Sequence, residues 1–123
     1  MAVTRTERGY PGHLIVSRWC VYHRNTLVSD GWQRIVVSSI GHYIPRDSDG
    51  EPETIGVSQY YETMAFRVRD ADPYVEADTS DQVSLECETY ITDIEFDADF
   101  RADAMHEAAV EEITARIERG EFR

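Results

Sequence analysis

Gln59–Arg69 reads QYYETMAFRVR, and its two-residue alternation decides the fold class. Tyr60, Glu62, Met64, Phe66 and Val68 fall on one face of an extended chain, and Tyr61, Thr63, Ala65, Arg67 and Arg69 on the other, which is the period of a half-buried strand. The stretch is expected to be a central strand with the first set turned to the core. Glu62 interrupts that set, and a carboxylate there must be paired, hydrogen-bonded or near an open edge.

Working outward, His13–Leu27 (HLIVSRWCVYHRNTL) is rich in branched and aromatic residues, is too long for one ordinary strand, and is expected to bend around Ser17–Trp19. Residues 1–12 read as a polar lead-in broken by Gly9, Pro11 and Gly12, with order expected from His13. Asp30-Gly31 predicts a two-residue hairpin turn, because both residues tolerate positive φ. The returning segment Trp32–Ile40 carries apolar residues on both faces, as a strand covered on both sides does. Residues 45–56 are a loop by composition, and Tyr74–Ala77 is expected to form a short strand. Val83, Leu85, Cys87, Thr89 and Ile91 then alternate with Ser84, Glu86, Glu88 and Tyr90, predicting a strand. In the last segment Met105, Ala109, Ile113 and Ile117 recur every four residues, widened by Ala102 and Val110, which predicts a helix over Phe100–Arg119. Asp97 or Asp99 is placed to cap it and Gly120 to stop it. The sum is one α+β domain over 1–123. It is an antiparallel sheet of four or five strands within residues 13–92, with a C-terminal helix, 100–119, packed on one face.

A chain of 123 residues is long enough to bury a core without staples. Cys20 and Cys87 each lie in an apolar alternation and read as small buried hydrophobes rather than a disulfide. The first residues lack an apolar leader and no later run reaches membrane-spanning length, so a cytoplasmic protein away from the membrane is expected. The charge is lopsided. Residues 1–69 hold 7 acids and 8 arginines, net +1, whereas residues 70–123 hold 17 acids and 4 arginines, net −13, and lysine is absent. The arginine bias and the acidity also suit a GC-rich genome or a salt-loving host, and either origin would be functionally silent. Such a balance opposes direct binding to DNA, RNA or anionic lipid, which are recognised through accumulated positive charge.

Among chemistry-bearing residues, the four histidines lack the spacing of a zinc site: no CxxC occurs, and His106-Glu107 is not part of an HExxH helix. Asp47, Asp49 and Gly50 resemble part of a calcium loop, but Pro45 and Gly56 stand at its first and last ligand positions. No GxSxG elbow and no phosphate-cradling glycine loop is present, so neither a metal nor a cofactor is expected. Two constellations remain. The polar run Arg24-Asn25-Thr26 with His13 and Glu62, joined by His106, would form a pocket if the first hairpin neighbours the central strand, and an arginine beside Glu62 would equally make a structural ion pair. Glu86, Glu88, Asp93, Glu95, Asp97, Asp99, Glu107 and Glu111 would form an acidic surface, which reads either as a solvated face or as a partner site. At one charge per about 1.7 Å of duplex axis, an excess of 13 charges corresponds to about 22 Å of DNA.

The blocks RGYPGHLIV (Arg8–Val16), RNTL (Arg24–Leu27), RIVVSSIG (Arg34–Gly41), YYETMAF (Tyr60–Phe66) and ADAMHEAAVEEI (Ala102–Ile113) resemble a group of small phage and prophage accessory proteins that carry similar blocks in the same order. The resemblance implies a mobile-element setting, in which small non-enzymatic proteins block host machines, CRISPR effectors among them. The expected function is therefore binding and inhibition of a host nucleic-acid-handling complex, in the host cytoplasm, with the acidic surface against a basic surface of that complex. The alternatives are a small enzyme or ligand-binding domain using the His/Arg/Glu pocket, and a virion or assembly component.

Overall fold

The structure, a computed structural model, describes residues 2–8, 20–43, 52–55, 59–68 and 81–123. In chain order it contains strands β1 (Thr4–Glu7), β2 (His23–Ser29), β3 (Arg34–Gly41), β4 (Tyr61–Arg67), β5 (Gln82–Val83) and β6 (Tyr90–Ile91), then helix α1 (Ala98–Glu118). All pairings are antiparallel in the order β1-β2-β3-β4-β5. The short β6 shares the outer edge of β4 with β5, pairing Tyr61 with Ile91 where β5 pairs Ala65 with Val83. The helix lies across one face of the sheet, so the α+β architecture expected from the periodicities is the observed one.

The expected centre of the sheet holds, with one reversal. Gln59–Arg69 contributes β4, flanked by β3 on one side and by β5 and β6 on the other. The helix packs on Tyr61, Thr63 and Ala65, not on the face carrying Glu62, Met64 and Phe66. Tyr61 meets Ala98, Ala102 and Met105, while Ala65 joins Val28, Ile35, Val37, Ala109, Val110, Ile113 and Ile117. Small side chains, Ala65 in one cluster with Ala109 and the helix's Ala98 and Ala102 against Tyr61, let helix and sheet approach. Hydrophobicity alone favoured the bulkier set. Ile113 and Ile117 are wholly buried, each stabilising the fold by roughly 1.5–3 kcal/mol. β3 is covered on both faces as expected, with Ile35 through Gly41 all buried.

Other departures have local causes. The polar lead-in contains β1, ordered well before His13. Its residues are all exposed, so no apolar alternation marks it, and it is held by its ladder to β2. The hairpin after β2 closes through four residues, Asp30–Gln33, because Asp30 Oδ1 accepts from the backbone N–H groups of Trp32 (2.9 Å) and Gln33 (2.7 Å). Trp32, expected in the strand, stands 83% exposed at this tip. Gly31 takes a φ of 98° there. Gln33 ties the tip to the helix end: its amide donates to Asp30 and to the Ile117 carbonyl, each at 2.8 Å, and its oxygen accepts from Phe122 N–H at 2.8 Å. The alternation over Val83–Ile91 survives as burial but not as one strand. Glu112 takes the backbone N–H groups of Glu86 (3.0 Å) and Cys87 (2.9 Å), pulling that stretch from the sheet edge toward the helix. The helix begins at Ala98, two residues earlier than expected, and Asp97 makes no side-chain cap. Gly120, at φ 74°, ends it. Both cysteines are free, Cys20 buried and Cys87 half-buried. His13, the bend at Ser17–Trp19, most of the 45–56 loop and the strand expected at Tyr74–Ala77 lie outside the described residues.

Gly41 closes β3 where the backbone of β2's lead-in and the Tyr61 ring converge. A Cβ at this position would lie 2.6 Å from Tyr22 Cβ and 2.7 Å from Tyr61 Cε1. Gly41→Ala is expected to destabilise the protein by about 1–3 kcal/mol through overpacking, measured as a lowered denaturant midpoint. An unchanged midpoint would contradict this packing.

Candidate functional site

The described residues proposed for a pocket are divided between the two faces of the sheet. Arg24 and Thr26 project from β2 toward the helix, while the alternation puts Asn25 on the opposite face, where Asn25 Oδ1 accepts from Arg8 Nε at 2.7 Å. Glu62 sits on that far face too, opposite Ile40 and Tyr90 in the ladders. The sheet therefore separates Glu62 and Asn25 from Arg24 and His106. His13 is outside the described residues.

What the helix side contains is a buried polar chain. His106 lies on the inward stripe of α1 between Ala102 and Val110 and is wholly buried. Its Nε2 is 2.7 Å from Thr26 Oγ1 and its Nδ1 is 2.6 Å from Ser39 Oγ. Ser39 Oγ lies 2.6 Å from Thr63 Oγ1, and Thr26 Oγ1 donates to Glu7 at 2.6 Å. The proton order follows from valence. Partial burial pushes the Glu7 carboxyl up, but hydrogen bonds from Arg24 and Thr26 outweigh it and hold it below its ordinary value, ionised and accepting only. Thr26 spends its one proton on Glu7 and must accept from His106 Nε2–H. Nδ1 is then an acceptor for the Ser39 hydroxyl, which accepts from Thr63. Burial, and then the charge of Arg24, lowers the imidazole to about 4, so it is neutral near pH 7. The Ser39–His106 pair resembles a nucleophile and its base, but both residues are sealed from solvent, so the chain fixes the helix on the sheet rather than attacking a substrate.

Around this chain lies a charged shell. Arg5 makes a bidentate pair with Glu107 at 2.6 and 3.0 Å. Arg24 reaches Glu7 at 3.0 Å, Glu107 at 3.1 Å and Asp103 at 3.5 Å. Burial opposes the Arg24 charge, but Glu7 and Glu107 outweigh it and raise its pKa. The Arg5 hydrogen bond, against partial burial and aided by Arg24, brings Glu107 down to about 2. Tyr22 and Tyr61 meet edge to face with centroids 5.7 Å apart. Tyr22 donates to Asp103 at 2.5 Å and Tyr61 donates to Asp99. Burial, reinforced by these carboxylates, raises both phenols.

The acidic surface splits into paired and unpaired members. Arg101 holds Asp93 and Asp97, and Glu107 is taken by Arg5 and Arg24. Asp99 accepts from Tyr61. Glu86, Glu88, Glu95, Asp99, Glu111 and Glu118 form no ion pair among the described residues. Residues 81–123 hold 13 acids against 4 arginines, net −9. Sequence reasoning missed Glu118, and it missed Thr26 and Ser39 as His106 partners and Thr63 as the partner of Ser39. The available signal was polar residues inside apolar strands together with a histidine on the helix's apolar stripe.

A cleft of about 470 Å³ lies beside the acidic set, lined by Glu88, Asp93 and Arg101 among others, and further clefts open away from it. One of about 410 Å³ is lined by Asp30, Trp32, Phe122 and Arg123. Glu62 lines another of about 220 Å³ with Met64, Gln82 and Thr89, and neither Arg24 nor His106 lines it. Among the described residues no three His, Cys, Asp or Glu side chains gather as metal ligands would, and no helix is long and apolar enough to cross a membrane.

The buried imidazole generates a pH prediction. An unfolded histidine takes up a proton near 6.5 and the folded one only near 4, so between these values the unfolded state binds more protons and stability falls as pH drops. The loss is on the order of 3 kcal/mol once both values are passed. The groups facing the ring are Glu7 and Arg24 from the sheet, with Glu107 and Arg5 beside them. Denaturant melts of His106→Gln are expected to start from lower stability at pH 7 and to fall less steeply from pH 6.5 to 4. Imidazole nitrogen shifts should report the Nε2–H tautomer, and a ring titrating near 6.5 would overturn the assignment.

In comparison with known proteins, the chain matches no family model, no curated protein and no solved structure.

Proposed function

We propose that this chain is a phage-type accessory protein that binds a basic surface of a host nucleic-acid-handling complex, such as a CRISPR effector, and inhibits it by occupying the place of nucleic acid. The observation that carries this reading is the set of carboxylates without an ion pair among the described residues: Glu86, Glu88, Glu95, Asp99, Glu111 and Glu118. Arg5 and Arg24 come across from the sheet to neutralise Glu107, yet these acids are left facing solvent on the helix, in the segment before it and between β5 and β6. With 21 residues, α1 is about 30 Å long, close to one turn of duplex at about 34 Å. Acids along such a rod offer a basic groove the charge it is built to receive, and steer the encounter. The geometry lends the pocket-based alternative no support, because its described members are split between the two faces of the sheet.

The test is affinity capture from the natural host with mass spectrometry, using the wild-type chain and a Glu86→Arg/Glu88→Arg/Glu111→Arg variant. These three side chains are exposed, so the variant is expected to keep its circular dichroism spectrum and melting point. Wild type should retain a nucleic-acid-handling complex, release it as salt rises from about 50 to 200 mM, and be displaced by that complex's own nucleic acid. The variant should lose capture by about tenfold or more. Capture unaffected by charge reversal and by competing nucleic acid would refute the proposal.

A further inference from the structure

Asp93–Phe100 reads DIEFDADF, in which acids occupy every other position. Ala98 turns inward against Tyr61. The apolar residues Ile94, Phe96 and Phe100 turn outward: Phe96 is fully exposed, Phe100 is 78% exposed and Ile94 is 37% exposed. Phe96 occupies the turn before α1, and Phe100 follows one helical turn later. Scattered exposed apolar residues are normal, but two phenylalanines and an isoleucine standing out within seven residues are a patch that calls for an occupant.

This patch is held in place. Arg101 bonds both Asp93 and Asp97, spanning the turn. Ala98 N–H donates to the Glu95 carbonyl at 2.9 Å. Tyr61 anchors Asp99 to the sheet. Aromatic side chains on a pinned backbone lose little freedom on binding, which is the property of interface anchors.

We propose that Ile94, Phe96 and Phe100 form an apolar knob that seats in a hydrophobic pocket rimmed by arginine or lysine on a protein partner. Charge decides the occupant. Glu95, Asp97 and Asp99 alternate with the knob residues and lie at the rim of any contact; Asp97 is held by Arg101, while Glu95 and Asp99, without an ion pair among the described residues, favour cations opposite. A second copy would oppose these acids with the same acids on a chain of net charge −12. An anionic lipid surface or a nucleic acid would be repelled for the same reason. The inference rests on the acidic-surface reading above and deepens it by naming the anchor about which the acids are arranged.

The experiment places the photo-reactive residue p-benzoylphenylalanine at position 96 of the full chain, irradiates it in host lysate and maps the adduct by mass spectrometry. The expected adduct joins an apolar residue with arginine or lysine close by on a different protein, and Phe100→Ser lowers its yield about tenfold. An adduct on a second copy of this chain, an adduct without basic neighbours, or no adduct overturns the proposal. Phe96→Ser/Phe100→Ser in the capture assay separates the two readings. Both side chains stand in solvent, so the melting point should hold while capture falls about tenfold. If capture is lost on charge reversal but unchanged in this double variant, the knob fails and the acidic surface stands. If neither change matters, both fail.

Discussion

The buried His106 imidazole is the constraint on which the rest of the molecule depends. Its two nitrogens engage Thr26 of β2 and Ser39 of β3, Ser39 passes the contact to Thr63 of β4, and Thr26 passes it to Glu7 of β1. One side chain of the helix is thereby linked to four neighbouring strands. A neutral imidazole has one donor and one acceptor, and the ionised Glu7 at one end forces a single direction on every proton in the chain. Sliding or turning the helix would leave several buried polar groups without partners, each at about 1–3 kcal/mol. Hydrophobic contact holds the helix on the sheet, and this chain selects where it rests.

The same arrangement governs the charges. Arg24 must stay ionised beside Glu7 to keep the chain ordered, and its remaining reach is spent on Glu107 and Asp103. Arg5 is drawn to Glu107 as well. Among the described residues, Arg5 and Arg24 pair over the β1–β2 side of the helix, Arg116, Arg119 and Arg123 at its tail and Arg101 at the turn before it. The acids on the outward row and beside β6 keep their charge exposed. Pairs this exposed contribute about 0–1 kcal/mol each, so their weight lies less in stability than in which surface remains negative.

Legibility in the sequence varied with the kind of force involved. The strand around Met64, the doubly covered β3 and the helix through Ile113 announce themselves by period, because apolar burial repeats every two residues in a strand and every three or four in a helix. β1 has no such pattern, since TRTE is an edge held by backbone hydrogen bonds and ion pairs. The Val83–Ile91 segment has the pattern without the continuous ladder, because the Glu112 carboxylate competes for its N–H groups. As for the candidate site, the acids could be counted from the sequence, but which of them Arg5, Arg24 and Arg101 neutralise could not. The outward Phe96 and Phe100 were hidden among acids that read only as charge.

By itself the sequence determined the α+β class, the C-terminal position of the helix, its stop at Gly120 and the concentration of acid in the second half. These follow from local period, backbone freedom and composition, none of which needs a partner distant in the chain. Only the tertiary structure decided which face of β4 receives the helix, that Arg24 and Glu62 are divided by the sheet, and that His106 is a sealed relay rather than a pocket histidine. Each of those depends on contacts between residues tens of positions apart, where side-chain volume and hydrogen-bond valence, not hydrophobic period, make the choice.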